Sequence, residues 1–214
     1  MKKLTLFIVI IFLAAQSCEF NEKNYFPSEV GLKWLYSVNI KSSYTGKSNM
    51  KRVMVTNLNE NNKSNDKEFS RLYSDGSYYS YATDGKKIVR TSVILAFSDG
   101  IDEPVEKTIY PDSNFIQKEW TVREQLFLVK GFQPPLLNVR PRSQFDMKYR
   151  IMRRHKTFKV NDLVFDDCIE IEGKGNSNFI GDTRSGPINV NIENIEILCD
   201  GIGLVRQIRS ENTN

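Results

Sequence analysis

Beyond residue 24, apolar positions recur every second residue, and long stretches with helical spacing are hard to find. Period-2 alternation between Asn-rich and Asp-Gly breaks predicts strands with one buried and one wet face. The first strand is expected over 33–44. A second spans 50–58, where Val53 and Val55 alternate with polar neighbours, and a polar turn follows at 59–66. Strands at 68–73 and 77–83 flank Asp75-Gly76, a strong hairpin signal. Asp84-Gly85 leads into a strand at 86–97, which ends at Asp99-Gly100.

The middle of the chain is less regular. A strand is expected at 105–110, and a strand or short helix at 120–129. Pro134, Pro135 and Pro141 exclude a central strand from 130–143, which reads as a long loop. Alternation returns at Phe145, Met147, Tyr149 and Ile151, with Asp146, Lys148 and Arg150 between them. Further strands are expected at 157–165 and 168–172, then a polar, Gly-rich loop at 173–187. A closing hairpin is expected at 192–199 and 204–209 around Asp200-Gly201 and Gly203. The pattern predicts a mainly β fold with little helix: an antiparallel curved sheet or partly open β-barrel (half-barrel) over 25–214, as one domain.

The first residues follow a different pattern. Lys2 and Lys3 precede an uncharged apolar run at 4–14, too short to span a bilayer, which needs about 20 apolar residues. It has the length of a signal-peptide core. Ala15, Gln16 and Ser17 lead to Cys18 and resemble a lipobox, the cleavage motif of bacterial lipoproteins. The resemblance implies a signal peptide at 1–17, lipidation of Cys18 and a short tether through residue 24. A diacylated thiol with an acylated amine gives stable anchoring, where one chain would not. Glu19 replaces the Asp associated with inner-membrane retention, so the expected location is the cell envelope, at the outer membrane.

Composition narrows this little further. Removing residues 1–17 leaves 197, enough for a core without staples. The formal charge of +4 includes Lys2 and Lys3, so the mature chain is close to balanced and gives no reason to expect a nucleic-acid partner. With Cys18 lipidated, Cys168 and Cys199 remain. An oxidising compartment favours a disulfide between them. The strand phase opposes it, because Cys168 shares a face with Glu170 and Glu172, and Cys199 with Ile195 and Ile197. The two are expected on neighbouring strands, with the bond left open.

Two stretches resemble the ends of a group of bacterial envelope lipoproteins. Tyr25-Phe26-Pro27, Val30-Gly31 and Trp34-Leu35-Tyr36 resemble their opening. Gly201-Ile202-Gly203-Leu204-Val205 resembles their closing hairpin, and Phe165-Asp166-Asp167-Cys168-Ile169 a strand between. The group is largely uncharacterised. The resemblance implies a curved antiparallel sheet and brings no catalytic residue.

Candidate chemistry is sparse. The one histidine, His155, lies in Arg153-Arg154-His155-Lys156 and reads as an exposed strand residue without a carboxylate nearby in sequence. No metal-ligand spacing or phosphate-binding loop occurs, so no cofactor or metal is expected. Carboxylate pairs at Asp102/Glu103, Asp166/Asp167 and Glu170/Glu172 leave a glycosidase-like hydrolase as the alternative. Arg150, Arg153, Arg154 and Lys156 lie in the most basic segment. They could meet anionic headgroups or simply form a solvated face balanced by Glu170 and Glu172. The leading expectation is a non-enzymatic, lipid-anchored envelope protein that binds an apolar ligand or a protein partner.

Overall fold

In a computed structural model of the protein, residues 23–43, 46–59, 68–83, 87–94, 107–110, 119–124, 126, 144–180 and 186–213 are described. Six strands form one sheet in chain order: β1 (Lys33–Lys41), β2 (Ser48–Asn59), β3 (Glu68–Tyr73), β4 (Tyr78–Thr83), β5 (Ile88–Ile94) and β6 (Lys107–Tyr110). Five form a second: β7 (Glu119–Glu124), β8 (Phe145–Val160), β9 (Leu163–Ile180), β10 (Pro187–Cys199) and β11 (Gly203–Thr213). Every pairing is antiparallel and no helix occurs among the described residues. The fold is therefore mainly β, with antiparallel curved sheets that do not close into a barrel.

The inner face of the five-stranded sheet is laid out in rows across the ladder. One row runs Trp120, Tyr149, Gly173, Asn194, Arg209; the next runs Val122, Met147, Gly175, Ile192, Glu211. Glycine stands at the centre of both, on β9. An added Cβ at Gly173 would overlap the Tyr149 ring, and one at Gly175 would lie 2.7 Å from Phe145. The missing side chains let the β8 rings fold down over the middle strand. The outcome is strong curvature: Arg209 on one edge strand comes within 3.8 Å of Glu124 on the other, though a flat sheet would hold these strands about 19 Å apart.

The same glycines overturn the expected loop at 173–187. β9 runs through to Ile180 and β10 begins at Pro187. Polar Lys174, Asn176 and Asn178 are its wet face, and the glycines are its buried face. Nor is there a break between 151 and 157. β8 is continuous through an irregularity between Ile151 and Arg153, and the turn falls at Asn161-Asp162, inside the expected 157–165 strand. Asn161 takes a left-handed backbone (φ 53°) there, which Asn tolerates better than most residues. Only a strand occurs at the start of 120–129, as β7; residues 130–143 lie outside the described residues.

The main core packs Met147, Tyr149, Ile151, Ile169, Ile171, Ile192 and Leu198 against Tyr25 from the N-terminal segment. Substituting Gly173 or Gly175 with Ala overpacks this layer, and each change should cost about 1–3 kcal/mol in denaturant unfolding. The same change at Gly46, with nothing within 4 Å of its Cβ position but a left-handed φ of 65°, should cost about 1 kcal/mol through backbone strain alone.

Candidate functional site

The N-terminal segment is fastened at several points between Lys23 and Leu32. Lys23 Nζ lies 2.6 Å from Asp167 and 3.2 Å from Asp200. The hydrogen bond from Lys23 holds the Asp167 carboxyl below its ordinary value, with Arg154 and Lys156 adding to the effect. The Asn24 amide donates to the Asp200 carboxylate (2.7 Å), and the Gly201 amide donates back to the Asn24 carbonyl (2.8 Å). Asn57, fully buried on β2, donates to the carbonyls of Pro27 (3.0 Å) and Glu29 (3.2 Å). Its backbone pairs with Gly31 and Leu32.

Arg71 completes the clasp. Its guanidinium is buried, donates to the Pro27 carbonyl (3.0 Å) and to Asn57 Oδ1 (3.1 Å), and lies 3.7 Å from the Phe26 ring centre. Trp34, Phe69 and Tyr81 surround it at 5.0–5.8 Å. A buried cation here is stabilised by aromatic faces and two acceptors. The half-buried face shared by Trp34 and Tyr36 reaches the other sheet: Trp34 Nε1 donates to the Ile202 carbonyl (2.8 Å) and Tyr36 Oη to that of Leu204 (3.0 Å). An added Cβ at Gly203 would lie 3.1 Å from Pro27. The three stretches singled out in the sequence, around residues 25–36, 165–169 and 201–205, thus meet in one place.

Cys168 and Cys199 are opposite one another on β9 and β10 and are joined by a disulfide, with Cα atoms 4.0 Å apart. The phase objection fails because Glu172 faces Ile195 and Glu170 faces Ile197 across the same ladder. A carboxylate stripe and an apolar stripe share the outer face. Phe158, Phe165 and Val205 cover the bond.

His155 is not an exposed strand histidine. It is half-buried, and its Nε2 lies 2.8 Å from Glu170 Oε2. Arg153 binds the same carboxylate at 2.8 and 3.1 Å. Burial opposes ionisation of Glu170, but the hydrogen bonds from Arg153 and His155 outweigh it and lower its pKa. Arg150 and Lys174 flank Glu172 at 2.8 and 3.0 Å, and their hydrogen bonds lower its pKa too. Arg150 and Arg153 are therefore ion-paired within the sheet, whereas Arg154 and Lys156 stand on the exposed part of β8 near Asp167. Asp166 and Asp167 are exposed; Asp102 and Glu103 lie outside the described residues.

A polar cluster inside the curve escaped the sequence reading. Glu196 accepts from Tyr110 Oη (2.8 Å), Asn194 Nδ2 (2.8 Å) and Gln207 Nε2 (3.2 Å). Beside it Arg209 joins Glu211 at 2.9 Å and Glu124 at 3.8 Å. Burial raises the pKa of Glu196 despite its donors, and the Glu124 charge raises it further. The only sequence sign was Asn194 and Glu196 in phase with Val190, Ile192 and Leu198 on β10. Next to this cluster, a cavity of about 30 Å³ is lined by Tyr25, Phe26, Trp120 and Ile171 among others. That is room for roughly one water molecule. No protein-family model matches the chain, and neither does any curated protein or solved structure.

Replacing Arg71 with Ala removes both donors and the ring contacts, and should cost about 3 kcal/mol of unfolding free energy. Lys at that position should restore only part, since it lacks the planar fork. Glu196→Gln tests the interior. A carboxyl with a raised pKa in the folded protein contributes stability at low pH that is lost as pH rises through that pKa. The Gln variant should therefore gain thermal stability over the parent at pH 8 and lose that advantage at pH 4.

Proposed function

We propose that this is a lipid-anchored, non-enzymatic lipoprotein of the bacterial cell envelope, held at the outer membrane through Cys18, whose β domain serves a protein partner. The observation that carries the reading is the order of features at the N-terminus. A basic, apolar and small-residue leader ends at Cys18, and five residues later the chain is pinned at Lys23. This is the layout of a tether with a fastened end.

The partner is better supported than an apolar ligand. The N-terminal segment and the strands' own side chains occupy the inner face, and the cavity beside Tyr25 has a volume of only about 30 Å³. The outer face of the six-stranded sheet carries Leu72, Tyr78 and Ile94 in register, with Leu35 opposite Met54 alongside. Leu35 is 65% exposed and Met54 44%. Adjacent exposed apolar side chains of this kind suit a protein contact. A hydrolase reading has one observation in its favour, the Glu196 and Glu124 pair. However, Glu196 is occupied by three donors and Glu124 faces Arg209.

The anchor is tested by fractionation. Cys18→Ala should move the protein from the membrane to the soluble envelope fraction with its fold intact by circular dichroism. A variant that stays in the membrane pellet after carbonate washing would refute the lipid anchor.

A further inference from the structure

The β8–β9 hairpin outruns its neighbours. Among the described residues β7 pairs with β8 no further than Arg150, and β10 pairs with β9 from Cys168 onward. Residues 156–167, beyond the His155 and Cys168 pair, therefore form a two-stranded arm that extends past the five-stranded sheet. Its base is fixed by the disulfide, by Phe158 and Phe165 packed on it, and by the Asp200 amide on the Asp167 carbonyl (3.0 Å). Its tip carries Leu163 and Val164, 64% and 63% exposed. Lys156 and Lys159 are exposed along β8, and Asp162 lies in the turn.

We infer that this tip rests in the headgroup region of the membrane that holds the Cys18 lipid, with Leu163 and Val164 entering the boundary between headgroups and acyl chains. The inference builds on the lipid-anchor reading. Two lengths carry it. Lys23 is bound to Asp167 at the base of the arm, so the tether leaves the domain at the end from which the arm projects. Lys23 follows Cys18 by five positions, a span of at most about 18 Å. The arm extends from Asp167 to Asn161, about 20 Å along a strand. An extended tether is thus long enough to bring the lipid to about the height of the tip. Exposed Leu and Val at a turn are unfavourable in water, and their burial at an interface is favourable. Lys159, paired with Val164, would lie at headgroup level, where anionic lipid attracts it. The cations paired with Glu170 and Glu172 are not needed for this contact.

The test uses the full lipidated chain in vesicles of phosphatidylethanolamine and phosphatidylglycerol. With Cys18 acylated and Cys168 bonded to Cys199, an introduced Leu163→Cys thiol is the single free one, and it takes an environment-sensitive fluorophore. Met50→Cys is the control, since Met50 is 71% exposed and lies on β2 away from the Trp34 end. The label at 163 should shift to the blue and brighten about twofold or more, with quenching by nitroxide lipids, while the label at 50 should report water. Water at both positions, or equal insertion at both, overturns the inference while leaving the anchor intact. A protein that fails to float with the vesicles refutes the anchor itself, and the arm contact with it.

Discussion

The buried guanidinium of Arg71 is the contact on which the arrangement of both sheets depends. It stands on β3, yet its hydrogen bonds go to the Pro27 carbonyl and to Asn57 on β2, and its nearest ring belongs to Phe26. Neither the N-terminal segment nor the six-stranded sheet can shift without exposing one of these groups unpaired. A buried donor or acceptor left without a partner costs about 1–3 kcal/mol. Among the described residues no carboxylate pairs with this cation, so its stabilisation comes from ring faces and acceptors rather than from charge. Such a site is intolerant of small displacements, because both ring contacts and hydrogen bonds depend on position.

The remaining architecture follows from filling a curved interior without helices. Gly173 and Gly175 let the five-stranded sheet curl until its edge strands approach across the concave side. The N-terminal segment then fills the space between the sheets. Tyr25 joins the core of one, and Phe26 packs in tilted and edge-on contacts among Phe69, Tyr81 and Tyr110 of the other. Two side chains of β1, Trp34 and Tyr36, connect the sheets by donating to carbonyls at 202 and 204. The N-terminal segment thereby supplies apolar side chains to the cores of both sheets.

The strand content was legible because alternation is a local signal: Phe145, Met147, Tyr149 and Ile151 all turned inward. The glycines of β9 were not. A Gly-rich polar stretch reads as a loop until the rings lying over it are known, and those rings belong to a different strand. The Cys168 and Cys199 phase was misjudged for a related reason. A face carrying Glu170 and Glu172 was assumed to be wet, and one carrying Ile195 and Ile197 dry, but cross-strand pairing put both on one surface. His155 likewise gained Glu170 from the neighbouring strand. Within the candidate site, the segments around Phe26, Asp167 and Gly203 were visible as motifs, while Arg71 and Asn57 were not. Nothing in their local sequence distinguishes a buried polar strand residue from an exposed one.

A lipid anchor places a mechanical demand on the first ordered residues, since thermal motion of the domain pulls on the tether. Under the lipoprotein reading, that pull enters at Lys23. The salt bridges there are exposed, and exposed pairs contribute little, so they cannot resist it alone. The resistance lies deeper, in Tyr25, in the Pro27 carbonyl held by Arg71 and Asn57, and in the β1 ladder that follows. The end of β9 beside Lys23 is also tied covalently to β10 through Cys168 and Cys199. Force on the tether is thereby divided between both sheets before it reaches any single strand. Under that reading, the convergence of the N-terminal segment, the disulfide strand and the closing hairpin has a physical rationale in how the tether is held.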